Sequence, residues 1–149
     1  MNIYIAAPVV GVETNLRRQI NRVYYYADKK FAPVDSVYLP WQLQIPNAWN
    51  MPQSEWARCV FTADVMALDK ADVVVVCDFG RHSSCGTAWE AGYAFAKGKK
   101  VVVVQMPGVS EVSLMVHNGC TCVVSFDDFV NENWDWPDYK TVKPETVQN

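Results

Sequence analysis

The run Val73-Val74-Val75-Val76-Cys77-Asp78 constrains this chain more than any other feature. Four consecutive valines leave no polar face, so the strand they form is buried on both sides, as in a parallel sheet covered by helices. Gly80, Gly86 and the short side chains of Ser83, Ser84 and Cys85 then allow a sharp turn, Thr87 opens a helix, and Gly98 ends it. A buried strand, a glycine-containing loop and a helix N-terminus describe the carboxyl end of a parallel strand. Open α/β sheets bind their ligands there.

The flanking sequence repeats the strand-helix alternation. Ile3 to Ile5 start a first strand that Pro8 and Gly11 end, and Leu16, Ile20, Val23, Ala27 and Phe31 recur at helical spacing from Glu13 to about Phe31. Arg17 and Arg18 lie off this stripe and read as solvated. Val34 to Leu39 reads as a second strand. The stretch from Pro40 to Gln53, with three prolines and two tryptophans, reads as a long ordered loop. Trp41 and Trp49 in it either stack on a flat ligand or anchor the loop to the core. Ser54 is the expected N-cap of a helix reaching about Lys70, with Trp56, Val60, Ala63 and Ala67 facing inward. Val101 to Val104 is a further buried strand, Ser110 to His117 a short helix, and Thr121 to Phe126 the last strand. The expected fold is a single α/β domain, a doubly wound, five-stranded parallel sheet of flavodoxin-like type. The tail from Asn131 is rich in Asn, Asp and Pro and reads as late-packing or mobile, with Trp134, Trp136 and Tyr139 available to dock on a partner subunit.

Composition narrows the function. A chain of 149 residues that is 50% hydrophobic suits one domain with a sizeable core. A net charge of -3 and a pI near 5.3 exclude a general basic footprint for nucleic acid. The start lacks a basic segment followed by a long apolar one, and no apolar run reaches membrane-spanning length, so the reading is a cytoplasmic protein with no membrane partner. Five cysteines at irregular positions suit a reducing compartment. Cys120 and Cys122 near His117 lack the second pair of a tetrahedral metal set and read as buried thiols.

Glu90 carries two readings. Three residues after Thr87, it completes a capping box, which spacing alone favours. Beside a ligand crevice and near a helix N-terminus, it is also a carboxylate kept ionised by the helix end, and such a group attacks anomeric carbons. Asp64 lies one turn from both Val60 and Leu68; a carboxylate beside an apolar stripe is partly desolvated and a site candidate, or else a salt-bridged surface residue. Tyr4 sits at the carboxyl end of the first strand, where an aromatic is usually core, and position alone does not choose between that and a role in the site.

The segment Gly86-Thr87-Ala88-Trp89-Glu90-Ala91-Gly92-Tyr93-Ala94 resembles the signature of the nucleoside 2-deoxyribosyltransferase family. The opening Met1-Asn2-Ile3-Tyr4-Ile5-Ala6-Ala7-Pro8, the helix from Glu55 to Asp64 and Ser113-Leu114-Met115 follow the family's order, so the resemblance covers roughly residues 1 to 130. It implies that Glu90 is the nucleophile, that Tyr4 orients it, and that Asp64 contacts the nucleoside. Two positions depart from the transferases. Ser84 stands where they commonly carry a base-contacting aspartate, and Ser113 where they carry an asparagine reaching a neighbour's substrate.

Both serines resemble the related nucleoside 5′-monophosphate N-glycosidase branch, in which they bind the 5′-phosphate from two subunits. A hydroxyl donates to a phosphate that a carboxylate would repel, and the loop's backbone at Gly86 adds donors. Arg81 and His82 in this loop are ordinarily solvated residues that are also candidates to add positive charge. The first loop, Ala7 to Glu13, is not the Ser- and Gly-rich loop that also holds phosphate in that branch, so by that standard the phosphate site is incomplete, although Ala7 remains at the crevice. The resulting expectation is hydrolysis of the base-sugar bond of a nucleotide by a homo-oligomer that needs no cofactor. The rivals are base exchange between deoxynucleosides, a Cys85 nucleophile, and a non-catalytic nucleotide sensor.

Overall fold

The computed structural model describes residues 1–9, 13–80 and 84–135. Among them are five strands, β1 (Asn2–Ala6), β2 (Ser36–Tyr38), β3 (Val73–Asp78), β4 (Lys100–Gln105) and β5 (Cys122–Ser125), all parallel and ordered β2-β1-β3-β4-β5. This is the doubly wound order in which the chain reverses direction between β1 and β3, leaving a crevice at the carboxyl ends of those two strands. β3 is bonded on both sides, with Ile3 to Ala6 opposite Val73 to Val76 and Lys100 to Gln105 opposite Val73 to Asp78. Its four valines are at most 1% exposed, as their unbroken apolarity requires.

Alternation along β1 and β3 divides the core between two faces. Ile3, Ile5, Val73 and Val75 pack with Ile20, Val23 and Ala27 of α1 (Thr14–Lys30) and with Phe126, Phe129 and Val130. Tyr4, Ala6, Val74 and Val76 face the other way, onto Leu68 of α2 (Gln53–Lys70) and Ala91 and Ala94 of α3 (Cys85–Ala96). The stripe expected on α1 is the buried one. On α2 only Leu68 is buried, whereas Trp56, Phe61 and Met66 are exposed, so the inward face expected from Trp56 onward is thinner than its spacing implied.

Several boundaries are corrected. Pro52, not Ser54, caps α2: its fixed φ suits a helix entrance, and no side chain makes the capping bond. The expected helix at Ser110 begins after Ser113, as α4 (Leu114–Asn118), with the Ser113 hydroxyl accepting from the Val116 N–H. The second strand is confined to Ser36–Tyr38. The last strand ends at Ser125, which caps an unanticipated helix, α5 (Phe126–Val130). The docking expected of the tail occurs within the chain: Trp134 is 4% exposed, stacked on Phe129 with centroids 5.3 Å apart and edge-on to Phe31 at 6.2 Å. Trp136 and Tyr139 lie outside the described residues.

Candidate active site

The start of α3 differs from the reading by spacing. Ser84 is the N-cap; its hydroxyl accepts from the Thr87 N–H at 3.0 Å and shares a 2.7 Å hydrogen bond with the Thr87 hydroxyl. Thr87 is therefore inside the helix, and the capping box between Thr87 and Glu90 does not form. Glu90 falls in the second turn, past the range over which the helix end holds a charge. Its side chain turns to the sheet, where Oε1 accepts from the Tyr4 hydroxyl at 2.8 Å.

Tyr4 is fully buried, and β1 aligns it in register with Tyr38 of β2. The two rings stack at 5.2 Å with planes 20° apart. The Tyr38 hydroxyl in turn donates to Asp64 Oδ1 at 2.7 Å. Two strand tyrosines thus hold two helix carboxylates, one from α2 and one from α3, on one face of the sheet.

Burial dominates the electrostatics. Desolvation lifts the Glu90 carboxyl to about 7, the Tyr4 hydrogen bond opposes the rise, and the charge of Asp64 adds to it. The expectation that the helix end keeps Glu90 fully ionised is corrected, because desolvation outweighs a dipole one turn away. Asp64 is also raised by burial, against the bond from Tyr38. Both phenols are pushed far above their ordinary range, first by burial and then by the carboxylates, so they act as permanent donors. The arrangement offers a desolvated carboxylate that ionises near neutral pH, held at one oxygen by Tyr4 and, among the described residues, without a hydrogen-bond partner at the other. That is the form of a nucleophile or base poised for use.

The remaining candidates are dispersed. Ala7 is buried at the end of β1, and Gly86 is exposed, its missing Cβ 3.7 Å from Ser84 Oγ. Ser113 is exposed at the mouth of a cavity of ≈ 450 Å³ between α3 and α4, lined also by Ala88, Gly92, Phe95 and Met115. Trp41 packs against the core with the Arg17 guanidinium 5.7 Å from its ring centre, while Trp49 is fully exposed beside Met51 and Trp56. Arg81 and His82 lie outside the described residues. Cys85 is exposed as the first residue of α3, whereas burial raises the thiols of Cys77, Cys120 and Cys122. Among the described residues no three His, Cys, Asp or Glu side chains gather to hold a metal, and no helix is long and apolar enough to cross a membrane.

Two features have no counterpart in the reading by sequence. One is Tyr38, whose place beside Tyr4 follows only once β2 is known to neighbour β1. The other is a buried pair at the end of β3: His117 Nε2 lies 2.6 Å from Asp78 Oδ2, and Asp78 Oδ1 accepts from the Gly80 N–H at 2.8 Å. The pair joins the entrance of the β3–α3 loop to α4, which Ser113 caps. A polar residue ending a buried strand is the one signal that marked Asp78.

The family model for nucleoside 2-deoxyribosyltransferase matches residues 3–131. Among solved structures, a 2-deoxyribosyltransferase from the psychrotolerant bacterium Bacillus psychrosaccharolyticus superposes with a TM-score of 0.72 at 24% identity, over 98% of this chain and 100% of its own. A conserved protein from Enterococcus faecalis gives 0.68 at 21% identity, over 89% and 96%. The CMP N-glycosidase of Clostridium botulinum gives 0.57 at 17%, over 89% and 98%. At these identities the likeness is one of fold. Comparison with curated protein sequences finds no match. With the family match running from the first strand to the residue after α5, the chain belongs to the nucleoside 2-deoxyribosyltransferase family.

Proposed function

We propose that the protein cleaves the N-glycosidic bond of (2′-deoxy)nucleoside 5′-monophosphates, with Glu90 as nucleophile. The observation that carries this reading is the 2.8 Å hydrogen bond from a fully buried tyrosine to a carboxylate whose pKa is lifted to about 7. The free Glu90 oxygen forms a bond to C1′ as the C1′–N bond breaks, and the electron pair leaves with the base. Asp64 binds the sugar or supplies a proton to that base. Water then attacks C1′, its proton passes to solvent, and Glu90 is released along with the sugar 5-phosphate. No metal or organic cofactor takes part in these steps.

Phosphate dependence rests on Ser84 and Ser113. Each hydroxyl accepts a helix N–H through a lone pair; the Ser113 hydrogen is then able to donate to a phosphate oxygen, and that of Ser84 is so when Thr87 donates the bond the two hydroxyls share. Glu or Asp in either place would repel that oxygen. Gly86, Ala7, Trp41, Trp49, Arg81 and His82 complete the proposed substrate-binding set. Ser113 is proposed to serve the site of a neighbouring subunit in a cytoplasmic homo-oligomer, consistent with its exposure beside Leu114 and Met115.

The test is chromatographic detection of free base from deoxynucleoside monophosphates and the matching nucleosides, each with and without a second base. Release from monophosphates alone, abolished in Glu90→Ala and with KM raised in Ser84→Ala and Ser113→Ala, is the expected result. Exchange only between nucleosides and an acceptor base would make the protein a deoxyribosyltransferase and refute the phosphate reading. Binding without cleavage would leave a nucleotide sensor.

A further inference from the structure

Asp64 is half-buried on α2, one turn before the buried Leu68, and burial raises the pKa of its carboxyl. The Tyr38 hydroxyl donates to it, at 2.7 Å from Oδ1, and fixes that oxygen. Among the described residues Asp64 makes no other hydrogen bond or ion pair, so Oδ2 is the oxygen left for a ligand. Tyr38 is itself placed by sheet register and by the stack on Tyr4, the tyrosine that holds Glu90.

We propose that Tyr38 is a positioning residue for glycosidic cleavage: its hydroxyl fixes the Asp64 carboxylate with one oxygen facing the substrate, and its ring joins Asp64 and Glu90 into one platform. The proposal rests on the reading of Glu90 and Asp64 given above. It assigns the spacing of the two carboxylates to the pairing of β1 with β2 rather than to the helices that carry them. A carboxylate anchored this way keeps its alignment through base departure, which is where misplacement of an acid or a hydrogen-bond acceptor costs most.

Tyr38→Phe keeps the ring and the stack and removes only the hydroxyl. Two measurements separate this proposal from the underlying function. In protein labelled with carbon-13 at aspartate carboxyls, the Asp64 signal, identified by its loss in Asp64→Asn, is expected to titrate at higher pH in Tyr38→Phe than in the native protein, because a donor to the ionised form has been removed. In the base-release assay, Tyr38→Phe is expected to lower kcat about tenfold while KM changes less than about twofold. The same substitution made in Asp64→Asn is expected to cost nothing further. An unmoved Asp64 titration, or an equal loss of kcat in the Asp64→Asn background, would overturn the positioning role. Turnover surviving Glu90→Gln would instead overturn the nucleophile, leaving the Asp64 titration to decide on Tyr38 by itself.

Discussion

Replacing Tyr4 with phenylalanine removes one buried hydroxyl and leaves the stack on Tyr38 in place. That hydroxyl donates to Glu90 at 2.8 Å and is what opposes the rise of the Glu90 pKa. A hydrogen bond to an ionised group contributes about 1.5–3 kcal/mol, which corresponds to about one to two pH units. The Glu90 carboxyl, at about 7 in the native protein, is therefore expected to titrate at about 8–9 in Tyr4→Phe. If the ionised form attacks, kcat/KM rises with pH through that value. At pH 6 the ionised fraction falls from about a tenth to about 0.3% for a midpoint near 8.5, a loss of about 30-fold. Above about pH 10 both proteins are ionised, and the remaining difference measures orientation alone. The assay is the pH profile of kcat/KM for base release. A midpoint that stays near 7 or moves downward would refute the argument that Tyr4 acts on the charge of Glu90.

Raising a carboxyl pKa by burial carries a stability cost when the group ionises. Stability from Glu90 is full below its ordinary value of 4.5 and is lost as pH rises through about 7. Glu90→Gln is therefore expected to be more stable than the native protein by up to about 3 kcal/mol at pH 8 and equal to it at pH 4, as read from urea unfolding; a gain at pH 4 as large as at pH 8 would contradict the assignment. His117→Phe removes the 2.6 Å contact between His117 Nε2 and the buried Asp78 carboxyl and is expected to cost about 3–5 kcal/mol in the same measurement, whereas a loss below about 1 would show the pair to be dispensable. Trp134→Ala, which empties the slot against Phe129 and Phe31, is expected to cost about 3–5 kcal/mol, and a neutral result would mean that this aromatic contributes nothing to the core. Gly80→Ala places a Cβ 2.5 Å from the Glu111 carbonyl at a φ of +63°, so it is expected to destabilise the loop entrance and lower the thermal midpoint by several degrees; an unchanged midpoint would argue against that approach.

The sequence by itself determined the architecture, because its signals are local. Four valines in a row demand two covered faces, the stripe from Ile20 to Phe31 demands one, and a polar loop after a buried strand marks a ligand crevice. The family signature around Glu90 was legible in the same way. What the tertiary structure decided depends on partners far apart in the chain. Tyr38 meets Asp64 across 26 residues and Tyr4 meets Glu90 across 86, both through the placement of β1 between β2 and β3. Spacing pointed to a capping box at Thr87 and Glu90, a short-range bond; the fold gave the cap to Ser84 and turned Glu90 to a buried phenol. The Glu90 pKa near 7 follows from that burial, since a charge is set by the water removed from around it and not by its neighbours in sequence.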